Sequence, residues 1–327
     1  MMSLYPLKFK TIFKDKLWGG HKIKSVLGKD FGALPNCGET WEISGVQGNI
    51  SEVDNGHLAG QDLRSLIGQF KQELVGKKVY DQFGVEFPLL IKFIDANDDL
   101  SIQVHPDDEL ARKRHNSFGK TEMWYVLQAD EGAKLITGFN QPMTKEHYLE
   151  AFNNGQLTDI LNQEDVKTDD VYYLPAGRVH TIGKGLMIAE IQQTSDITYR
   201  IYDFDRTDAA GNKRELHVEE ALDAIDYQYY DEYKTLYSNE LNTVNSIVES
   251  PYFHTSKLEL TETLHRDHSQ LDSFTIYICL EGEGTLQTEG APETKVSKGD
   301  SLLVPAALKQ LTWVPDGSLK LLETYVP

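Results

Sequence analysis

The chain has 327 residues, with 32 Lys or Arg against 51 Asp or Glu, a formal charge of −19, and 40% hydrophobic and 25% charged residues. That composition excludes a wholesale disordered chain, and at about 150 residues per domain the length predicts two domains. The acidic field repels phosphate backbones and anionic membranes at long range, which argues against nucleic-acid binding and leaves an anionic ligand dependent on a local basic pocket.

No apolar run approaches the ~18 residues that a membrane helix requires; Phe87–Ile94 is short and broken by Lys92. Met1 to Phe13 contains no long apolar segment with a small-residue cleavage site, so no signal peptide is expected. Cys37 and Cys279 form no CxxC pair, which indicates neither a disulfide framework nor a thiolate metal site. The expectation is a cytoplasmic protein.

Apolar periodicity and turn residues set the predicted elements. A helix over Leu63–Leu74 is followed by strands at Leu89–Ile94 and Ser101–Val104, then a helix over Asp107–Lys113. Strands at Glu122–Leu127 and Lys134–Thr137 precede a helix at Lys145–Asn153 capped by Thr144. Strands follow at Asp170–Leu174, Leu186–Gln192 and Thr198–Asp203, then a helix at Val218–Ile225 and a tyrosine-rich connector at Tyr227–Tyr237. The last part reads as strands at His254–Thr261, Phe274–Leu280, Gly284–Gln287, Ser301–Val304, Leu311–Val314 and Leu319–Tyr325. The fold class is therefore all-β with a few short helices, divided near residue 240 into segments 1–240 and 241–327.

An internal repeat supports the division. Tyr125-Val-Leu-Gln-Ala-Asp-Glu-Gly132 resembles Tyr277-Ile-Cys-Leu-Glu-Gly-Glu-Gly284, and Asp170-Val-Tyr-Tyr-Leu-Pro175 resembles Asp300-Ser-Leu-Leu-Val-Pro305. Aligning the tyrosines places Phe274 opposite Glu122. Aligning the prolines places Gln310 opposite His180 and Ala307 opposite Gly177. Neither Phe nor Gln replaces a good metal ligand, so the second copy is expected to hold no metal, with His265 and His268 as solvated loop residues.

The run Gln103-Val-His105-Pro-Asp-Asp108 is the most informative. On a strand, alternate residues share a face, so Gln103 and His105 project to one side. Glu122 lies 17 residues beyond His105, and His180 closes Pro175-Ala-Gly-Arg-Val-His180. Two imidazoles, a carboxylate and an amide suit a divalent, zinc-type site with room for water or substrate.

Pro175, Gly177 and His180 fit the Pro-x-Gly-x-x-His turn of the cupins. More closely, the chain resembles the type I mannose-6-phosphate isomerases in their short bacterial form. The resemblance is carried by Trp18-Gly-Gly, Gly38-Glu-Thr-Trp-Glu-Ile-Ser44, Leu90-Ile-Lys92-Phe-Ile-Asp-Ala96, Gln103–Asp108, Gly119-Lys-Thr-Glu122, Pro175–His180 and Ser195-Asp-Ile-Thr-Tyr-Arg200. It implies two cupin-like jelly-roll β-barrel domains, the first catalytic and the second degenerate. It further implies one zinc per chain on His105, Glu122 and His180, with Gln103 as a fourth candidate. Arg200 falls at the family's active-site arginine and Lys120 at a lysine of its site. The implied substrate is a small sugar phosphate, mannose 6-phosphate or fructose 6-phosphate, with a proton passing between C1 and C2 through a cis-enediol. Lys120, Asp196 or a further, unassigned residue is the candidate base, and Arg200 is suited to an enediolate or a phosphate. Trp18 and Trp41 are expected in the core. Two other readings share the fold: a non-haem metal oxygenase, and a non-catalytic sugar-phosphate-binding protein.

Overall fold

The computed structural model describes residues 4–208 and 210–327. The strands of its first part are β1 Ile12–Lys14, β2 Glu39–Ser44, β3 Leu89–Ala96, β4 Ile102–Val104, β5 Glu122–Ala129, β6 Lys134–Phe139, β7 Leu161–Asp165, β8 Val171–Leu174, β9 His180–Ile182, β10 Leu186–Gln193 and β11 Tyr199–Tyr202. They form a six-stranded sheet in the order β1-β2-β3-β10-β5-β8 and a five-stranded sheet in the order β11-β4-β9-β6-β7. The sheets face each other: Ile94, Trp124, Val126 and Ile188 of the first share a buried cluster with Leu135 and Ile182 of the second.

The helices cover the outer faces. They are α1 Lys22–Leu27, α2 Leu63–Phe70, α3 Gln72–Val75, α4 Lys77–Phe83, α5 Asp108–His115, α6 Lys145–Asn153 and α7 Val218–Ala224. The predicted α6 boundaries hold because Thr144 accepts the His147 N–H at 3.2 Å, satisfying a free donor of the first turn. Asp107 does the same for α5 through Leu110 N–H, at 2.8 Å. The single helix expected over Leu63–Leu74 is broken in two at Lys71, whose φ of 49° lies in the left-handed region. Side chains of α6 and α7 pack on Ile102 and Val104, the outward residues of β4, so its alternate residues Gln103 and His105 turn inward as the sequence predicts.

The last part is a seven-stranded sheet of β12 Val244–Glu249, β13 His254–Leu260, β14 Leu264–Asp267, β15 Thr275–Thr288, β16 Thr294–Ser297, β17 Ser301–Val304 and β18 Gln310–Tyr325. Two pairs of predicted strands prove continuous in β15 and β18. Irregular pairing around Glu281 and Gly282 lets these long strands bend without ending. This part has its own buried cluster, including Leu258, Tyr277, Leu302 and Trp313. A second cluster joins Phe274, Ile276, Ile278 and Leu303 to the outer face of the six-stranded sheet, through Phe87, Ile91 and Tyr125 among others.

Cross-strand registers correct the repeat alignment by one residue. Glu122 pairs with Leu174, and the equivalent of Leu174 is Val304, which pairs with Thr275. Thr275 therefore stands at the Glu122 position, while Phe274 points away and packs on Phe87 with ring centroids 4.8 Å apart. The shift arises because Tyr125 faces the shared core whereas Tyr277 faces the last part's own buried cluster, so the matched tyrosines occupy opposite faces. The same register makes Glu323 the counterpart of Glu190.

His268 corrects another expectation, since it is buried near Glu323 and is no solvated loop residue; His265 lies on β14, exposed, within 2.9 Å of Thr312 Oγ1. Glu323 receives Arg266 Nε at 3.0 Å, Arg266 Nη2 at 2.5 Å and the Tyr277 hydroxyl at 2.6 Å. Burial alone raises its pKa, but contacts from His268 and Arg266 outweigh it and hold the carboxyl at about 2. The unfolded pKa is about 4.3, so this contribution is full above that value and is lost as pH falls towards about 2. Glu323→Gln is expected to cost about 3 kcal/mol by leaving a largely buried guanidinium without its counter-charge. Urea unfolding at pH 7 and pH 3 checks this: the gap between wild type and variant should narrow at pH 3, and an equal gap at both would contradict it.

Candidate metal centre and substrate cavity

Three segments of chain converge between the sheets. Gln103 pairs directly with His180 across β4 and β9, and His105 follows where Pro106 ends the strand. His180 is presented by the turn before β9, in which Arg178 N–H reaches Pro175 O at 3.1 Å and Gly177 N–H reaches His105 O at 2.9 Å. Gly177 has φ of +91°, and a Cβ there would sit 2.9 Å from Ala224 O, so the turn requires glycine. Glu122 opens β5, fully buried.

Ligand atoms of His105, Glu122 and His180 all lie within 4.8 Å of one another. His105 Nδ1 is 2.9 Å from Ile197 O and His180 Nδ1 is 2.8 Å from Arg178 O. Each Nδ1–H donates to its carbonyl, which leaves each Nε2 lone pair facing Glu122, at 3.5 Å and 3.3 Å. Burial pushes both imidazole pKa values down, His180 to about 3, so both rings are neutral as metal ligation requires. Burial pushes the Glu122 carboxyl up. Both its oxygens are buried without a hydrogen-bond partner, and Lys120 Nζ makes an ion contact at 3.1 Å, poorly aligned for a hydrogen bond. A buried carboxylate with two free lone-pair donors around it fits a divalent cation. Gln103 Nε2 lies 3.2 Å from His180 Nε2, and turning the amide over brings its oxygen to the same place as a fourth donor.

Above this centre is a cavity of about 320 Å³ lined by Lys16, Trp18, Glu39, Trp41, Lys92, Ile94, Leu100, Ser101, Gln103, Lys120, Ile182, Glu190, Asp196, Thr198, Arg200 and Arg214. The structure thus brings Gln103, Lys120, Asp196 and Arg200 to one space. Lys120 is buried, its Nζ 3.0 Å from His105 Nε2, whereas Asp196 is exposed at the mouth. Arg200 pairs with Gln103 in the β11–β4 register and donates from Nη1 to Glu215 O at 2.8 Å. Its buried Nε has no partner, and among the described residues no carboxylate forms an ion pair with it.

A row of side chains crosses the six-stranded sheet beneath the cavity: Trp41, Lys92, Glu190 and Trp124 occupy directly paired positions on β2, β3, β10 and β5. Lys92 Nζ and Trp124 Nε1 each lie 2.9 Å from a different Glu190 oxygen. Sequence reasoning did not assign Lys92, Glu190, Lys16, Glu39 or Arg214 to the site. A charged residue inside a strand otherwise buried on both faces was the available signal for Lys92 and Glu190. Trp18 packs in the core as expected but also lines the cavity, and Trp41 is cavity wall, with Lys92 Nζ 5.5 Å from its ring. Among the described residues only the His105–Glu122–His180 set groups three such ligands, because Thr275 and Gln310 replace Glu122 and His180 in the last part. Elemental analysis of the metal-saturated protein should find about one ion per chain, and two would contradict this.

Facing sheets around a buried His–Glu–His centre, below a cation-lined cavity, define a cupin-type, metal-competent enzyme site. Residues 6–140 match the family model for the phosphomannose isomerase type I catalytic domain, and residues 243–326 match the mannose-6-phosphate isomerase cupin domain. The chain belongs to the type I mannose-6-phosphate isomerase family and is an isomerase. It is 36% identical over 321 residues to the mannose-6-phosphate isomerase of Streptococcus mutans, covering 98% of each chain. Identity to ManA of Bacillus subtilis is also 36%, over 94% of this chain and 95% of that one. The crystal structure of the mannose 6-phosphate isomerase from Bacillus subtilis superposes with a TM-score of 0.87 at 32% identity, covering 98% of this chain and 99% of that one. A mutant phosphomannose isomerase from Salmonella typhimurium shares the fold at a TM-score of 0.80 and 16% identity, over 98% and 99% of the two chains.

Proposed function

We propose that this protein interconverts mannose 6-phosphate and fructose 6-phosphate with one zinc ion held by His105, Glu122, His180 and Gln103. The observation that carries the reading is the convergence of neutral imidazole nitrogens on an unpartnered buried carboxylate, next to Gln103 and Lys120 of the cavity wall. The cavity volume lies in the range expected for a small ligand, and its lysines and arginines supply the local positive field that an anionic sugar needs against a chain charge of −19.

The reaction moves a proton between C1 and C2 through a cis-enediol. A zinc ion held by His105, Glu122, His180 and Gln103 would supply Lewis-acid stabilisation for the charge that develops on the C1 and C2 oxygens. Arg200, facing the same space as Gln103, stabilises negative charge as it develops on those oxygens. Proton transfer falls to a group lining the cavity, and we assign it to Lys120, deep beside the centre, in preference to the exposed Asp196.

We further read residues 1–240 and 241–327 as two jelly-roll units, supported by matching registers and by a buried cluster drawn wholly from residues 258–321. Two free, buried cysteines fit a reducing compartment, and the reading is of a cytoplasmic enzyme. A coupled assay with mannose 6-phosphate tests the function. Turnover without oxygen, lost on chelation and restored by zinc, is expected. Oxygen consumption dependent on Fe(II), or saturable binding without turnover, would overturn it.

A further inference from the structure

The cations of the cavity differ in how they are neutralised. Lys16 lies 3.2 Å from Glu39, Lys92 lies 2.9 Å from Glu190, and Lys120 lies 3.1 Å from Glu122. Arg200 and Arg214 are different. Arg200 has no carboxylate partner among the described residues, and Arg214 shares one. Asp203 receives Arg214 Nε at 2.8 Å, the Arg214 Nη2 group, and Arg206 Nη2 at 2.7 Å. Two guanidinium groups thus share one buried carboxylate, with Arg200 close enough to feel all three charges. Burial and then the charge of Arg214 lower the Arg200 pKa, and the Asp203 carboxylate only partly offsets them.

Geometry separates the two. Arg200 sits on a strand paired with Gln103, beside the metal centre, where C1 and C2 must lie. Arg214 enters from the loop between β11 and α7, outside the sheets that carry the centre, and still lines the cavity. Its Nε and Nη2 edge is occupied by Asp203, and among the described residues nothing bonds Nη1. A hexose phosphate carries its anion on C6, at the end of the sugar remote from the reacting carbons. A guanidinium fixed along one edge and free at the other is suited to such an oxyanion.

We propose that Arg214, aimed by Asp203, contacts the substrate's phosphate and sets the preference for phosphorylated over free hexose. This rests on the isomerase reading above, and wild-type turnover of mannose 6-phosphate tests that reading separately. Arg214→Gln should raise KM for mannose 6-phosphate by ~10-fold or more, the scale of one lost charge-assisted hydrogen bond, while kcat changes by less than ~3-fold. Competitive inhibition by inorganic phosphate should weaken by a similar factor, and turnover of free mannose should not change. Arg206→Gln, which removes the other Asp203 partner but does not line the cavity, should leave all of these values alone. Unchanged KM and phosphate inhibition in Arg214→Gln would overturn the proposal, as would an equal loss in Arg206→Gln, which would mark a loop-ordering effect. If Arg214→Gln fails to fold, Arg214→Lys takes its place: the charge remains but the fork is lost, so an intermediate KM is expected and an unchanged KM overturns the assignment.

Discussion

His105→Ala is expected to strip the chain of tightly bound metal and to lower kcat/KM by well over ~100-fold, since loss of a group that merely supports a ligand already costs 10–100-fold. The size follows from the donor set. Removing one imidazole leaves His180 and Gln103 to hold an ion beside Glu122, with Lys120 Nζ at 3.1 Å from that carboxylate and ready to take the vacated space as its counter-charge. The fold itself should tolerate the change. His105 donates only to Ile197 O from its side chain, and its backbone carbonyl still holds the Gly177 turn. Metal analysis and thermal unfolding of His105→Ala and His180→Ala together check this. Stoichiometric zinc in both variants would remove these residues from the centre.

Arg200→Lys should lose ~10²-fold or more in kcat/KM, the scale of one missing transition-state donor. An ammonium keeps the charge but cannot offer two parallel donors to neighbouring oxygens. The competing role for Arg200 is structural, through an ion pair with Asp196 or Asp203. Asp203 is instead committed to Arg206 and Arg214, and among the described residues the only side-chain hydrogen bond of Arg200 runs from Nη1 to Glu215 O. One such neutral acceptor is worth about 1 kcal/mol, so the melting temperature of Arg200→Met should fall by a few degrees at most. Unfolding of Arg200→Met, or release of its zinc, with normal turnover in the folded remainder would restore the structural role.

The sequence carried the centre well because its parts are local. Gln103 and His105 are fixed by strand alternation and a proline stop, and His180 by a turn whose glycine has a backbone reason to be there. The cavity walls were less legible. Trp41, Lys92, Glu190 and Trp124 lie on four strands far apart in sequence, and only the register of a sheet with order β2-β3-β10-β5 lines them up. Arg214 stands in an irregular loop with no periodicity to read. The one-residue error in the repeat has a similar origin: Tyr125 and Tyr277 look alike as letters but face opposite sides, and a period of two turns a single-residue slip into an exchange of surroundings.

Strand β15 shows what holds the last part of the chain against the rest, although among the described residues that part groups no three metal ligands. Phe274, Ile276 and Ile278 cover apolar surface of the catalytic sheet, against Phe87, Ile91 and Tyr125. Thr275 and Tyr277, on the other face, turn to the interior of the last part, towards His268 and Glu323. Alternate residues of this strand therefore serve different ends: Thr275 and Tyr277 serve the interior of the last part, whereas Phe274, Ile276 and Ile278 hold the two parts together. A descendant that lost these residues would bare a broad apolar patch and aggregate, whereas one that rebuilt the inner face around any other well-packed set would survive. The inner face of this half is accordingly the place in the molecule where a new binding pocket could be evolved or engineered at least risk to the existing chemistry.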